Sequence, residues 1–148
     1  MTVFVPVVPP RPLGAYEAVI VRGRLGCVSG QFPARDGAVL LPGVAGGTRD
    51  LDEARRACWL AADNVLAQVH AATDGFVALE GLLRLEGAVA CVDDFDAVPA
   101  VLDAASERFV EVLGRERGAH ARAAVPVARL PADALVELVV SFALAAER

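Results

Sequence analysis

Two charged residues sit where charge is expensive. Arg122 opens the apolar run 121–129, and Glu137 lies inside the run Leu135-Val136-Glu137-Leu138-Val139-Val140. An ion in such surroundings must be paired or put to use. A guanidinium can hold a carboxylate through two parallel hydrogen bonds, which fixes position and orientation. A carboxylate shielded by Val136 and Leu138 has a raised pKa and can move a proton to or from water. Together they suggest a pocket for a small carboxylate substrate with a proton-transfer group beside it. A Leu130-Pro131-Ala132-Asp133 turn separates the two runs. This predicts that the two strands pair and bring the charges together. The alternative is structural: Arg122 pairs with Glu137 or Asp93 to stabilise a subunit contact, or Glu137 faces solvent on an edge strand.

Other residues offer less. Tyr16 is the only tyrosine, either a pocket aromatic or a core ring with a satisfied hydroxyl. His120, two residues before Arg122, either lines the pocket mouth or caps a strand end. His70 reads as a favourable charge near a helix end. Ser29 reads as a structural hydrogen-bonding group, since no Gly-x-Ser-x-Gly elbow surrounds it. Cys27, Cys58 and Cys91 have no paired spacing; Cys58 and Cys91 read as small core residues. Trp59 is expected to pack at an interface. The Gly-rich stretch 43–47 lacks the Lys and Ser/Thr of a phosphate loop.

The elements that must position these residues follow from the pattern. Residues 1–13 read as an extended, Pro-rich arm. Apolar runs 17–22 and 25–30 meet at Gly23-Arg24 and form a hairpin. Residues 33–47 form a loop, with a short strand at 38–41. Thr48 or Asp50 caps a helix whose stripe is Leu51, Ala54, Cys58, Ala61, Val65 and Val69, reaching about Ala72. Residues 82–92 form a strand with Gly87 as a bulge or close approach. A second helix starts within Asp93–Asp96, tolerates Pro99 near its first turn, and ends at Gly114. Strands 121–129 and 134–143 complete an α+β order, β-β-α-β-α-β-β: one mixed sheet with both helices on one face. The uncovered apolar face then implies oligomerisation.

Composition bounds the function. The chain of 148 residues is read as one domain, 1–148, large enough for a real core. A net charge of −5 argues against general nucleic-acid binding. All 14 basic residues are arginine, which removes Schiff-base, P-loop and general-base lysine mechanisms. Two histidines cannot build a multi-histidine metal site in one chain, so no metal is expected. The odd cysteine count and the absence of a signal-like or membrane-spanning segment point to a reducing cytoplasm.

Three segments, Leu13-Gly14-Ala15-Tyr16, Val28-Ser29-Gly30-Gln31-Phe32-Pro33 and His120-Ala121-Arg122, resemble in order and spacing the RidA/YjgF family, which hydrolyses reactive imines and enamines. The His-Ala-Arg form is similar to a longer branch of that family. The resemblance implies a chorismate-mutase-like fold and a homotrimer with clefts between subunits. It implies that Arg122 binds a substrate carboxylate, Glu137 positions water, Tyr16 closes the pocket, and the Gly30 backbone approaches the ligand. It implies a cofactor-free imine or enamine deaminase acting on a small molecule, within a specialised pathway or not. The rival reading is a non-catalytic ligand-binding or interaction trimer. The chain departs from the family at Ala124, where cysteine is usual, at Asp93, where asparagine is frequent, and at Glu17-Ala18, where Ser-Gln follows the tyrosine. Asp93 in the pocket would repel a carboxylate substrate or occupy Arg122.

Overall fold

The computed structural model describes residues 3–147. A first hairpin pairs β1 (Val19–Arg22) with β2 (Leu25–Gln31). A small second hairpin follows, β3 (Ala34–Arg35) with β4 (Ala38–Val39). Helix α1 (Leu51–Ala72) starts at Asp50, whose side chain accepts from the Glu53 amide at 2.8 Å while Glu53 reaches back to the Asp50 amide at 3.3 Å. This reciprocal cap satisfies two otherwise orphaned donors and selects Asp50 over Thr48.

Strand β5 (Leu79–Ala90) begins three residues earlier than the apolar run suggests. Helix α2 (Val98–Gly118) is interrupted at Gly114, whose φ of 79° only glycine adopts cheaply. The helix proper therefore stops where expected, but the chain coils once more before β6 (Ala121–Val127). Its start lies later than Asp93–Asp96: Ala97 is the cap, without a side-chain hydrogen bond, and Pro99 occupies the first turn. A short 3-10 turn, Pro131–Asp133, leads into β7 (Val136–Leu144).

The five strands run in the order β1-β2-β7-β5-β6, with β5 and β6 parallel and the other pairs antiparallel. This corrects one expectation. The last two strands do not pair, because β5 lies between them. The parallel β5–β6 pair needs a long crossover, and α2 supplies it. Gly87 is a close-approach point rather than a bulge: a Cβ there would collide with Leu102 of α2. The bulges fall nearer the start of β5.

Both helices cover one sheet face. Val136, Leu138, Val140 and Phe142 point from β7 into this core, with Leu85 and Val89 from β5 and Phe109 from α2, each at most 1% exposed. Alternation along each strand sends Ile20, Leu25, Val125 and Val139 to the opposite face, which no element among the described residues covers. No helix among the described residues is long and apolar enough to cross a membrane.

Candidate functional site

Glu137 stands on the uncovered side of β7, one residue from the core positions Val136 and Leu138. It is half-buried, and desolvation pushes its carboxyl above the ordinary range near 4.5. The neighbouring strand β2 passes it with a register irregularity between Val28 and Gln31, which puts Gly30 alongside. A Cβ on residue 30 would lie 2.7 Å from Glu137 Cδ, so the carboxylate occupies the space a side chain would fill.

Tyr16 and Gly30 meet Glu137 at one cavity of about 320 Å³, which Leu13, Phe32 and Pro131 also line. The Tyr16 hydroxyl accepts from the Leu13 amide at 3.3 Å, and the ring is 49% exposed. It is therefore a half-exposed ring with a satisfied hydroxyl rather than a core aromatic. Ser29 donates to the Glu17 carbonyl at 2.6 Å, a structural bond between β2 and the segment before β1.

Arg122 lies elsewhere in the chain. Its register partner on β5 is Leu85, on the helix-covered face, whereas that of Glu137 is Ala88, on the other face. With strands ~4.8 Å apart and ~3.3 Å per residue, two strand steps and three residues separate their backbones by roughly 14 Å. The expected meeting within one chain does not occur. Nor does Arg122 pair with Glu137 or Asp93. Its Nη1 donates to Asp103 Oδ1 at 2.8 Å and to Ser106 Oγ at 3.2 Å, and its Nη2 to the Pro99 carbonyl at 3.4 Å. Asp93 is exposed and lines neither this cavity nor the larger one beside it.

His120 joins the Arg122 cluster rather than the cavity mouth. Its Nδ1 donates to the Gly118 carbonyl at 2.7 Å, so Nε2 of the neutral ring accepts from the Ser106 hydroxyl at 2.8 Å. The ring packs edge-on against Phe109. Ser106 thus accepts from Arg122 and donates to His120, holding the arginine with a fixed relay. Pro99, Asp103 and Ser106 recur at spacings of four and three on α2, one stripe beside the apolar face. That polar stripe was the overlooked signal in the sequence.

Two further residues were overlooked because they hide in the apolar stripe of α1. Asn64 is fully buried; its Nδ2 donates to the carbonyls of Phe32 at 2.7 Å and Ala34 at 3.0 Å, and its Oδ1 accepts from Arg35 at 2.8 Å. Gln68 donates to the Pro10 carbonyl at 2.8 Å. Together they pin the segment after β2 and the N-terminal arm to α1. His70 lies in the last turn of α1, as expected, and its ring also joins a cluster with Phe4 and Phe76. Trp59 lies under the Arg108 guanidinium, 4.8 Å from ring centroid to Cζ. Cys58 is fully buried, which pushes its thiol up to about 12. Cys91 is raised for the same reason, and Cys27 is exposed.

Residues 4–145 match the family described as "YjgF/chorismate mutase-like, putative endoribonuclease". The chain belongs to this family. Protein TCP17 of Trypanosoma cruzi is 32% identical over 127 residues, covering 86% of this chain and 79% of that protein. The crystal structure of a protein of unknown function from Agrobacterium tumefaciens is similar at 39% identity and a TM-score of 0.83, covering 87% of this chain and 82% of the other. A Shewanella oneidensis structure bearing the same endoribonuclease description is 31% identical with a TM-score of 0.88, over 94% of this chain and 91% of that one. YjgF-like membership accounts for the two helices packed on one face of a mixed sheet. It leaves the reaction to be argued from the site.

Proposed function

We propose that the protein hydrolyses a reactive imine or enamine to a carbonyl compound and ammonia, in clefts between the subunits of a homotrimer. The observation that carries this reading is the Glu137 carboxyl, half-buried beside Gly30 and Tyr16, with its pKa raised by desolvation. The reaction needs a group that both takes and returns a proton. Water adds its oxygen to the C=N carbon, and Glu137 accepts the proton that water loses. The π electrons move to nitrogen, which is protonated. The resulting carbinolamine then gives up its hydroxyl proton, which passes by way of Glu137 to the amino nitrogen, and the C–N bond breaks as C=O forms and ammonia leaves. A carboxylate whose pKa lies above the ordinary range is a stronger base than an exposed one and takes the proton from water more readily.

A carboxylate substrate also needs an anchor, and Arg122 is our choice. It cannot reach Glu137 in its own chain. A second copy docked on the uncovered sheet face would present its Arg122 from the sheet edge, since β6 is an edge strand. The exposed Ile20, Leu25, Val125 and Val139 favour such docking. In this reading Tyr16 and the Gly30 backbone contact the substrate, and His120, through Ser106, orients Arg122. Within one subunit Asp93 lines neither cavity and does not pair with Arg122.

One observation favours the rival, a ligand-binding or interaction trimer without turnover: Asp103 already neutralises Arg122. Ribonuclease action fits less well. The net charge is −5, no lysine is present, and neither histidine lines the cavity. The test is direct. An imino acid is generated by an amino-acid oxidase in the presence of semicarbazide, and the protein should divert it from the trap. No rate above buffer across several imino acids, with Arg122 still governing carboxylate affinity, would replace hydrolysis by binding.

A further inference from the structure

The N-terminal arm is strapped to the body at separate points. Phe4 packs on Phe76 with ring centroids 5.7 Å apart, and on His70 at 6.1 Å. The Pro10 carbonyl accepts from the buried Gln68 at 2.8 Å. Between and beyond these anchors the arm does not collapse onto the sheet. It roofs a cavity of about 730 Å³, whose other walls are the segment Gln31–Val39 and Ala18. The arm's prolines keep this roof extended, because each fixes its own φ and biases the preceding residue away from helix. Asn64 holds the opposite wall through the Phe32 and Ala34 carbonyls.

This cavity adjoins the one at Glu137. Leu13, Tyr16, Gly30 and Phe32 line both. The smaller cavity, about 320 Å³, is at the low end of the ~300–1,000 Å³ typical of ligand pockets. It suffices for the reacting C=N group and its carboxylate. A substrate with only a methyl substituent would leave the larger space to water.

We infer that the arm-roofed cavity is the side-chain pocket of the site, and that the substrate is an imino acid carrying a long aliphatic or aromatic substituent. The inference rests on the proposed imine hydrolysis for its substrate class. The apolar group enters between the arm and the Phe32–Val39 segment, and burying it sets selectivity over small imino acids.

The test compares imines formed in situ from phenylalanine, leucine and alanine, each against the semicarbazide trap. Alongside, Kd is measured by calorimetry for the unreactive carboxylates 3-phenylpropionate and acetate. Val39→Phe and Ala34→Phe fill the cavity from two positions on one wall, so that misfolding of one variant leaves the other. The expected result is at least a tenfold higher kcat/KM for the phenylalanine- and leucine-derived imines. Filling should remove that preference while leaving the alanine-derived imine within about twofold. If no imine is turned over, yet 3-phenylpropionate binds at least tenfold tighter than acetate and filling abolishes the difference, the pocket stands and the hydrolase reading falls. Equal rates for large and small imines, or folded filling variants that leave both preference and affinity unchanged, would overturn the pocket.

Discussion

Gly30 and Glu137 share a space that one additional carbon would close: a Cβ on Gly30 would sit 2.7 Å from the Glu137 carboxyl carbon and 3.0 Å from its Cγ. The conflict is with a flexible side chain, and Gly30 does not have a positive φ. Gly30→Ala should therefore fold and melt within a few degrees of the parent, while displacing the carboxylate. Imine hydrolysis should fall at least tenfold, since a misplacement of about 1 Å at a reacting group can cost 100-fold. Equal activity in a folded Gly30→Ala variant would show that the position of Glu137 is unimportant.

The raised pKa of Glu137 has a stability consequence of definite sign. A folded-state pKa above the unfolded value means the folded protein binds this proton more tightly. The stabilisation is full below the unfolded pKa and is lost as pH rises through the folded one. At neutral pH the ionised, desolvated carboxylate is a net cost. Glu137→Gln should thus melt higher than the parent at pH 7, and the difference should vanish as pH falls below about 4. The same variant should bind carboxylate ligands almost normally and turn over slowly. A variant that melts lower at pH 7 would contradict the desolvation account.

Asp103 and Arg122 make opposite predictions for an anionic substrate. Arg122→Ala should reduce kcat/KM by roughly two to three orders of magnitude, because it removes a shielded charge contact. Arg122→Lys should rescue poorly, since an ammonium lacks the planar fork. Asp103→Asn keeps an acceptor for Arg122 Nη1 but removes the competing charge, so KM should fall several-fold. Asp93→Asn should change neither, because Asp93 is exposed and is not among the partners of Arg122. Steady-state kinetics with one imino acid checks all four.

The thiols should be dispensable for chemistry. Cys58 is fully buried with its thiol pushed up to about 12, which leaves essentially no thiolate at neutral pH. A triple Cys→Ala variant should retain most activity and lose about 1 kcal/mol of stability, chiefly at Cys58 in the core. Denaturant melts and the trap assay give both numbers.

The elements were legible where one rule dominates. The stripe of α1 and its Asp50 cap are local periodicity and local hydrogen bonding, and so is the β1–β2 hairpin. Strand order was not local. The turn at Pro131–Asp133 suggested that β6 and β7 pair, but α2 had already committed β6 to a parallel seat against β5. That error alone misplaced Arg122 relative to Glu137. Tyr16, Gly30 and Glu137 were each recognised, and they do converge. Asp103, Ser106, Asn64 and Gln68 were missed because polar residues on or beside a buried helix face look like tolerated exceptions until their partners, all distant in sequence, are in place.

The central claim is that Arg122 and Glu137 serve one cleft from different subunits. Arg122→Ala and Glu137→Gln subunits, carrying different tags, can be co-expressed and the mixed species purified on both tags. In a closed three-membered ring every mixed trimer pairs one intact Arg122 with one intact Glu137 at a single interface. The account predicts that mixed trimers recover about one third of the parent's imine hydrolysis, although each variant alone is nearly inactive. Mixed species as inactive as the separate variants, or a protein that stays monomeric and forms none, would contradict it.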